Sequence, residues 1–202
     1  MKVYPLSDGE SLVKAARESI ELDLTSPHFK LSAVTQSIKH IRGKHGVFIT
    51  LQHYPTMELR GCIGFINAVS EISELLPQAA ISAAFEDTRF VPVSKRELGE
   101  LLISVSILTE PQELKGGAKE RKRGIHVGTT GLIAQYGHYS GLLLPEVAAE
   151  NNWDVEQFLQ EVCLKAGLHK NYWSQPNVKL FKFETQVFKE ETPSGKVIEQ
   201  EH

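Results

Sequence analysis

Cysteine is scarce in this chain: Cys62 and Cys163 are the only two among 202 residues. Two thiols make no disulfide framework and suit a reducing compartment, although one bridge between them stays open. The eight histidines form no His-Glu-x-x-His pattern and Cys-x-x-Cys is absent, so no metal site is expected. Gly-x-Gly-x-x-Gly and the phosphate-loop pattern are missing too, and no cofactor is expected. No apolar run approaches the ~20 residues that span a bilayer. Met1 to Asp8 lacks the charged-then-apolar order of a secretory leader, and the chain is read as cytoplasmic. Neither sign of charge dominates: 22 Lys and Arg face 25 Asp and Glu, a net −3. Bulk attraction for nucleic acid is therefore absent. The one dense basic run, Lys115, Lys119, Arg121, Lys122 and Arg123, has no interleaved aromatics and reads as a solvated loop dispensable for folding.

What is present suits a packed core, in one domain or two joined lobes, because 41% of residues are hydrophobic. Ser7 and Glu10 match a capping box ahead of Leu12, Ala16, Ile20 and Leu24, which predicts a helix over 8–24. Val47, Ile49 and Leu51 alternate with Phe48 and Thr50 as in a strand, and Pro55 turns the chain into a second strand over 58–66. Ser70 to Glu86 has helical periodicity, interrupted by Pro77, which threatens it outside the first turn. Leu101, Ile103, Val105 and Ile107 make one strand face. Gly137-His138 is a hairpin turn between 132–136 and 139–144. Val155 to Cys163 is helical and stops near Gly167. One long strand is expected over 178–188. The fold class is α+β: two intimately joined lobes with mostly antiparallel sheets packed against helices. Residues 1–190 form the domain and 191–202 a polar tail expected to fray.

The densest chemistry lies in Leu59-Arg60-Gly61-Cys62-Ile63-Gly64. Strict alternation puts Arg60, Cys62 and Gly64 on one face: a charge, a thiol and a gap. Gly61 and Gly64 mark a close backbone approach or a bulge. A neighbouring arginine lowers a cysteine pKa, so Arg60 and Cys62 are the candidate catalytic pair, with His53 on the preceding strand a candidate general base. The competing role for Cys62 is a small buried hydrophobe. Arg60 either grips a carboxylate or phosphate or is tied to Asp87 or a glutamate. Asp87 and Arg89 either cap the preceding helix or join a polar network. The candidate cleft is thus Gly61, Gly64, Asp87, Arg89 and His53 around the pair. Cys163, beside Val155, Phe158, Leu159 and Val162, is expected to be inert packing.

Several landmarks occur in a fixed order. They are Gly46 to Leu51, the motif 59–64, Asp87-Thr88-Arg89-Phe90, Ser140-Gly141-Leu142-Leu143-Leu144-Pro145, Lys165-Ala166-Gly167-Leu168 and Trp173. Together they resemble the AMMECR family, named for Alport syndrome, midface hypoplasia and elliptocytosis, and its prokaryotic relatives, among them AmmeMemoRadiSam system protein A. The resemblance implies an α+β fold with two lobes and a cleft near the motif. It establishes no activity. It implies association with Memo-like and radical-SAM-like proteins; lacking a radical-SAM cysteine triplet, this chain is the partner in any such pair. Thr88 departs from the family's Asp-Pro-Arg-Phe. Three functions follow as candidates: an enzyme or enzyme accessory using Arg60 and Cys62 on a small molecule or peptide, a non-catalytic interaction module, and, more weakly, nucleic-acid binding by 115–123.

Overall fold

A computed structural model describes residues 3–26, 30–66 and 70–200. The described residues divide into two compact units, those within 3–108 together with 186–200, and 109–185.

The first unit opens with helix α1 (Leu6–Thr25), which buries Leu12, Ala16 and Ile20. The expected capping box is not formed: the helix starts at Leu6, with Pro5 as its N-cap and no side-chain cap. A short helix, α2 (Ser32–Ser37), follows. Strands β1 (Val47–His53) and β2 (Leu59–Phe65) form a hairpin, and β3 (Leu101–Leu108) pairs with β1 on its other side. All three are antiparallel. Val47, Ile49 and Leu51 lie opposite Ile107, Val105 and Ile103, and all six are fully buried. Helix α3 (Ile72–Phe85) belongs to the same core. It runs unbroken through Pro77, beyond its first turn, which is where sequence placed the threat. Pro77 lacks the N–H that would reach the carbonyl four residues back, and its ring is buried in the helix's core face instead. A strap at 86–94 leads into the one-turn helix α4 (Lys95–Leu98).

The expected long strand over 178–188 is two strands. β7 (Lys179–Phe183) belongs to the second unit's sheet and β8 (Thr185–Glu190) to the first unit's, next to β3. Gln186, Val187 and Phe188 are all buried in succession, so the two-residue alternation on which one strand was drawn does not persist. The tail does not fray at 197–200: it returns as β9 (Val197–Gln200), antiparallel to β8. Val197 packs on the core, and Glu199 accepts a hydrogen bond from Gln186. Sheet order in this unit is β2-β1-β3-β8-β9.

The second unit has a four-stranded sheet of order β4-β7-β5-β6, where β4 is Gln112–Glu113, β5 Gly131–Tyr136 and β6 Tyr139–Leu143. Helix α7 (Val155–Lys165) packs on it through Phe158, Leu159, Val162 and Cys163, after α6 (Pro145–Glu150). The basic run is a loop only at its start. Beyond Lys115 it forms helix α5 (Ala118–Arg123), and Arg121 is buried. Its guanidinium donates to the carbonyl oxygens of Trp173, Gln175 and Val178. Those carbonyls need donors, so Arg121 is part of the architecture and is not dispensable.

Candidate functional site

The hairpin β1–β2 carries the six-residue motif at a sheet edge. Register runs Val47–Phe65, Ile49–Ile63 and Leu51–Gly61, then slips: Gln52 faces Leu59, leaving Arg60 as the extra residue of a bulge. A bulge re-aims a side chain. Arg60 thus sits at the irregular position of β2, and its partners differ from those of Cys62. Arg60, only 5% exposed, donates from Nε and Nη2 to the two carboxylate oxygens of Glu97. Nη2 also donates to the Val91 carbonyl at 2.7 Å. Its guanidinium lies 5.6 Å from the centre of the Phe90 ring, and that of Arg89 lies 5.4 Å from it.

Glu97 is the residue that reasoning from sequence missed, although Ser94-Lys-Arg-Glu97 is a readable capping box. Ser94 and Glu97 make that box at the start of α4, which fixes the glutamate where Arg60 arrives. Burial opposes the charge on Glu97. Hydrogen bonds from Arg60 and the Ser94 N–H outweigh it and hold the carboxyl below its ordinary range. His53 Nε2 stands 3.7 Å from Glu97 Oε1. Thr50, not His53, faces Cys62 across the strands, with Oγ1 3.4 Å from Sγ. Three residues of strand separate Thr50 from His53, roughly 10 Å. The structure brings His53 to the Arg60–Glu97 pair.

Asp87 and Arg89 brace the outer edge of β2. The Cys62 N–H donates to Asp87 Oδ2 at 2.9 Å, and Arg89 Nη2 reaches the Cys62 carbonyl at 3.4 Å. Arg89 also donates to both Asp87 oxygens, at 2.9 and 2.6 Å. An edge strand leaves backbone groups open to pairing with another chain; here a carboxylate and a guanidinium occupy them, as a neighbouring strand would. Thr88 fits this turn. The Phe90 N–H donates to the Asp87 carbonyl, closing a four-residue turn with Thr88 second, the place where proline is favoured but most residues are accepted.

The two glycines have opposite neighbours. A Cβ on Gly61 would meet the Ala83 carbonyl oxygen of α3 at 2.2 Å. Gly64 leaves no gap: a Cβ there would meet the Val47 carbonyl at 2.2 Å and Phe48 Cγ at 2.5 Å. Cys62 is half-buried, whereas Cys163 is fully buried and its thiol is pushed up to about 11 by that burial. A groove of about 1060 Å³ in the first unit is lined by α1 and residues 194–197 and includes no motif residue. Its Arg17 and Glu190 are joined at 2.6 Å, and Arg17 also donates to the Leu98 and Leu101 carbonyls. Among the described residues no cluster of three or more His, Cys, Asp or Glu is placed to hold a metal ion. No described helix is long and apolar enough to cross a membrane.

The AMMECR1 family model matches residues 13–188. The chain belongs to the AMMECR1 family. It is 42% identical to protein MJ0810 of Methanocaldococcus jannaschii, over 98% of both chains. It is 43% identical to protein MK0488 of Methanopyrus kandleri, covering 97% of this chain and 95% of that one. The crystal structure of the uncharacterised protein PH0010 from Pyrococcus horikoshii superposes with a TM-score of 0.89 at 40% identity, covering 97% of this chain and 98% of that one. The α+β fold and the family thus agree, and none of these relatives' names states an activity.

In this AMMECR1 chain Asp87 is a source of acid lability. It is 6% exposed, and hydrogen bonds from the Arg89 side chain, with the Cys62 and Arg89 N–H groups, hold its carboxyl far below the usual range against the opposing effect of burial. A depressed folded-state pKa stabilises above the unfolded value, about 3.9 for Asp. That stability is lost as pH falls from about 4 towards the folded value. Urea midpoints measured between about pH 6 and 2 should fall steeply below about pH 4 in the wild type. Asp87→Asn should start lower and lose less over that interval. Parallel profiles would show that Asp87 is not involved.

Proposed function

We propose that this AMMECR1 domain is a non-catalytic accessory, which docks a partner protein on the free end of the β1–β2 hairpin and the strap at Val91. One observation carries the reading: buried Arg60 is committed to Glu97 and to the Val91 carbonyl, while Val91 itself is 77% exposed. A guanidinium held by a carboxylate and a backbone oxygen is poorly suited to receive an anionic substrate. The same bracing presents apolar side chains to solvent. Tyr54, Met57 and Leu59, on or beside the hairpin end, are each exposed, and exposed apolar groups beside a rigid frame are what protein partners use. Memo-like and radical-SAM-like proteins are the partners proposed from the family resemblance, with this chain supplying no redox chemistry of its own.

The alternative reading, a reactive thiol, is favoured by the half-exposed Cys62 beside the Thr50 hydroxyl. One experiment separates the two. A Memo-like protein from the same genome is immobilised, and binding of wild type, Val91→Asp, Met57→Asp and Cys62→Ser is measured by interferometry. Val91→Asp and Met57→Asp should weaken binding at least about tenfold, as expected for losing more than about 1.4 kcal/mol of interface energy, with unchanged thermal midpoints. Cys62→Ser should bind as wild type. Normal binding by both aspartate variants, with loss on Cys62→Ser, would replace the docking reading with the thiol one.

A further inference from the structure

We infer that the second unit carries a binding surface for single-stranded nucleic acid, built by the tip of the β5–β6 hairpin and the end of helix α7. The surface does not use the exposed basic residues of helix α5 and does not rest on the docking reading above.

The net charge of −3 conceals a segregation. Residues 131–144 and 162–183 contain no Asp or Glu, yet they hold Lys165, Lys170, Lys179, Lys182, His138 and His169. The fold brings these two segments together. Gly141 of β6 lies so close to α7 that a Cβ would meet the Ala166 backbone at 2.4 Å. Three tyrosines gather at the junction. Tyr136 and Tyr139 face one another across the hairpin. The Tyr136 and Tyr172 rings meet edge to face, with centroids 6.0 Å apart. His169 lies 6.1 Å from Tyr172. Tyr139 rests along Gly167, where a Cβ would sit 3.5 Å from its ring.

The helix end makes this possible. Gly167, at φ +75°, closes α7: its N–H donates to the Leu164 carbonyl, and Leu168 N–H donates to that of Cys163. This is the paired closure of a helix that ends in a left-handed residue, and it turns the chain back into the 3-10 turn Lys170–Ser174, which carries Tyr172.

Tyr139 is 57% exposed, and Tyr136 and Tyr172 are each 39% exposed. Lys165, Lys170, Lys179, His138 and His169 are exposed around them. Aromatic faces on which bases stack, inside a field that attracts phosphates, are the two requirements of sequence-tolerant single-strand binding. A folded duplex offers no free base faces, and an acidic peptide has no bases to stack. The tyrosines therefore favour a single strand over either.

The test is fluorescence anisotropy of the full chain with fluorescein-labelled rU12 and dT12, from about 50 to 200 mM NaCl, the range over which phosphate contacts lose affinity. Tyr139→Ala and Tyr172→Ala should each weaken binding roughly 5- to 100-fold. Lys165→Gln with Lys170→Gln should flatten the salt dependence. Lys119→Gln with Arg123→Gln on α5 should change neither. The two oligonucleotides distinguish RNA from DNA as the source, and a labelled oligoglutamate tests charge alone. Three results would overturn the inference: no binding at the lowest salt, binding indifferent to both tyrosines, or oligoglutamate bound as tightly as rU12 and dT12. Loss of binding in the α5 variant alone would move the site to that helix. Far-ultraviolet circular dichroism of each variant ensures that an unfolded protein is not scored as a loss.

Discussion

Glu97→Ala is expected to remove about 3–5 kcal/mol of stability, the cost of leaving a buried charge without its partner. The Arg60 side chain is 6% exposed and gives up two of its hydrogen bonds when Glu97 goes. Glu97 is itself 22% exposed, so water can reach the vacated place, which sets the expectation at the lower end of that range. Two further losses accompany it: the capping box of α4 opens, and His53 loses its carboxylate neighbour. A typical domain is stable by only about 5–15 kcal/mol, so the effect would be plain in a urea or guanidinium titration. Glu97→Gln keeps an acceptor without the charge and should fall between wild type and Glu97→Ala. A change of under about 1 kcal/mol for Glu97→Ala, the value of an exposed pair, would mean that Arg60 is solvated and not braced.

Gly61→Ala should be comparably severe for a different reason. Its new methyl group would have to share space with the Ala83 carbonyl oxygen, 2.2 Å away. That atom is helix backbone and has no rotamer into which to retreat. Either α3 or β2 must shift, and Leu51, paired with Gly61, and Ala83 are both buried in the same core. Overpacking of this kind costs about 1–3 kcal/mol and occasionally more; a backbone obstacle places this case at the upper end. Gly137→Ala is the control. Gly137 has φ +58° and nothing within 4 Å of a Cβ, so only the conformational penalty of roughly 1 kcal/mol applies. Equal effects at the two positions would deny the close approach of strand and helix.

The sheet core was readable from alternation because it is regular: Val47, Ile49 and Leu51 face Ile107, Val105 and Ile103 without interruption. The hairpin at Gly137-His138 and the stop at Gly167 were equally plain, since both need a positive φ that glycine supplies. The motif's location and its close packing at Gly61 were legible too. The aim of Arg60 was not. A single-residue bulge can turn a side chain out of the alternation, and Gly61 marked a bulge or a close approach without saying which. Glu97 lies 37 residues from its partner, so only its helix-capping role was visible in Ser94-Lys-Arg-Glu97. Gly64 looked like a gap because the sequence did not fix which residue lies opposite; Phe48 pairs with it and occupies that place. Arg121 sat in a run of lysines and arginines, and charge density gave no sign that one of the five serves three backbone carbonyls.

Whether Arg60 is a brace or a recognition group can be settled by replacing the ion pair with apolar side chains of similar size. Arg60→Met with Glu97→Leu removes both charges together, so neither is left buried alone, and such exchanges are often neutral or stabilising. The double variant is expected to unfold within about 1.5 kcal/mol of wild type and to bind the immobilised Memo-like protein with unchanged affinity. A variant that is folded and equally stable, yet has lost that binding, would contradict the bracing role and make the Arg60 guanidinium the group that recognises the partner.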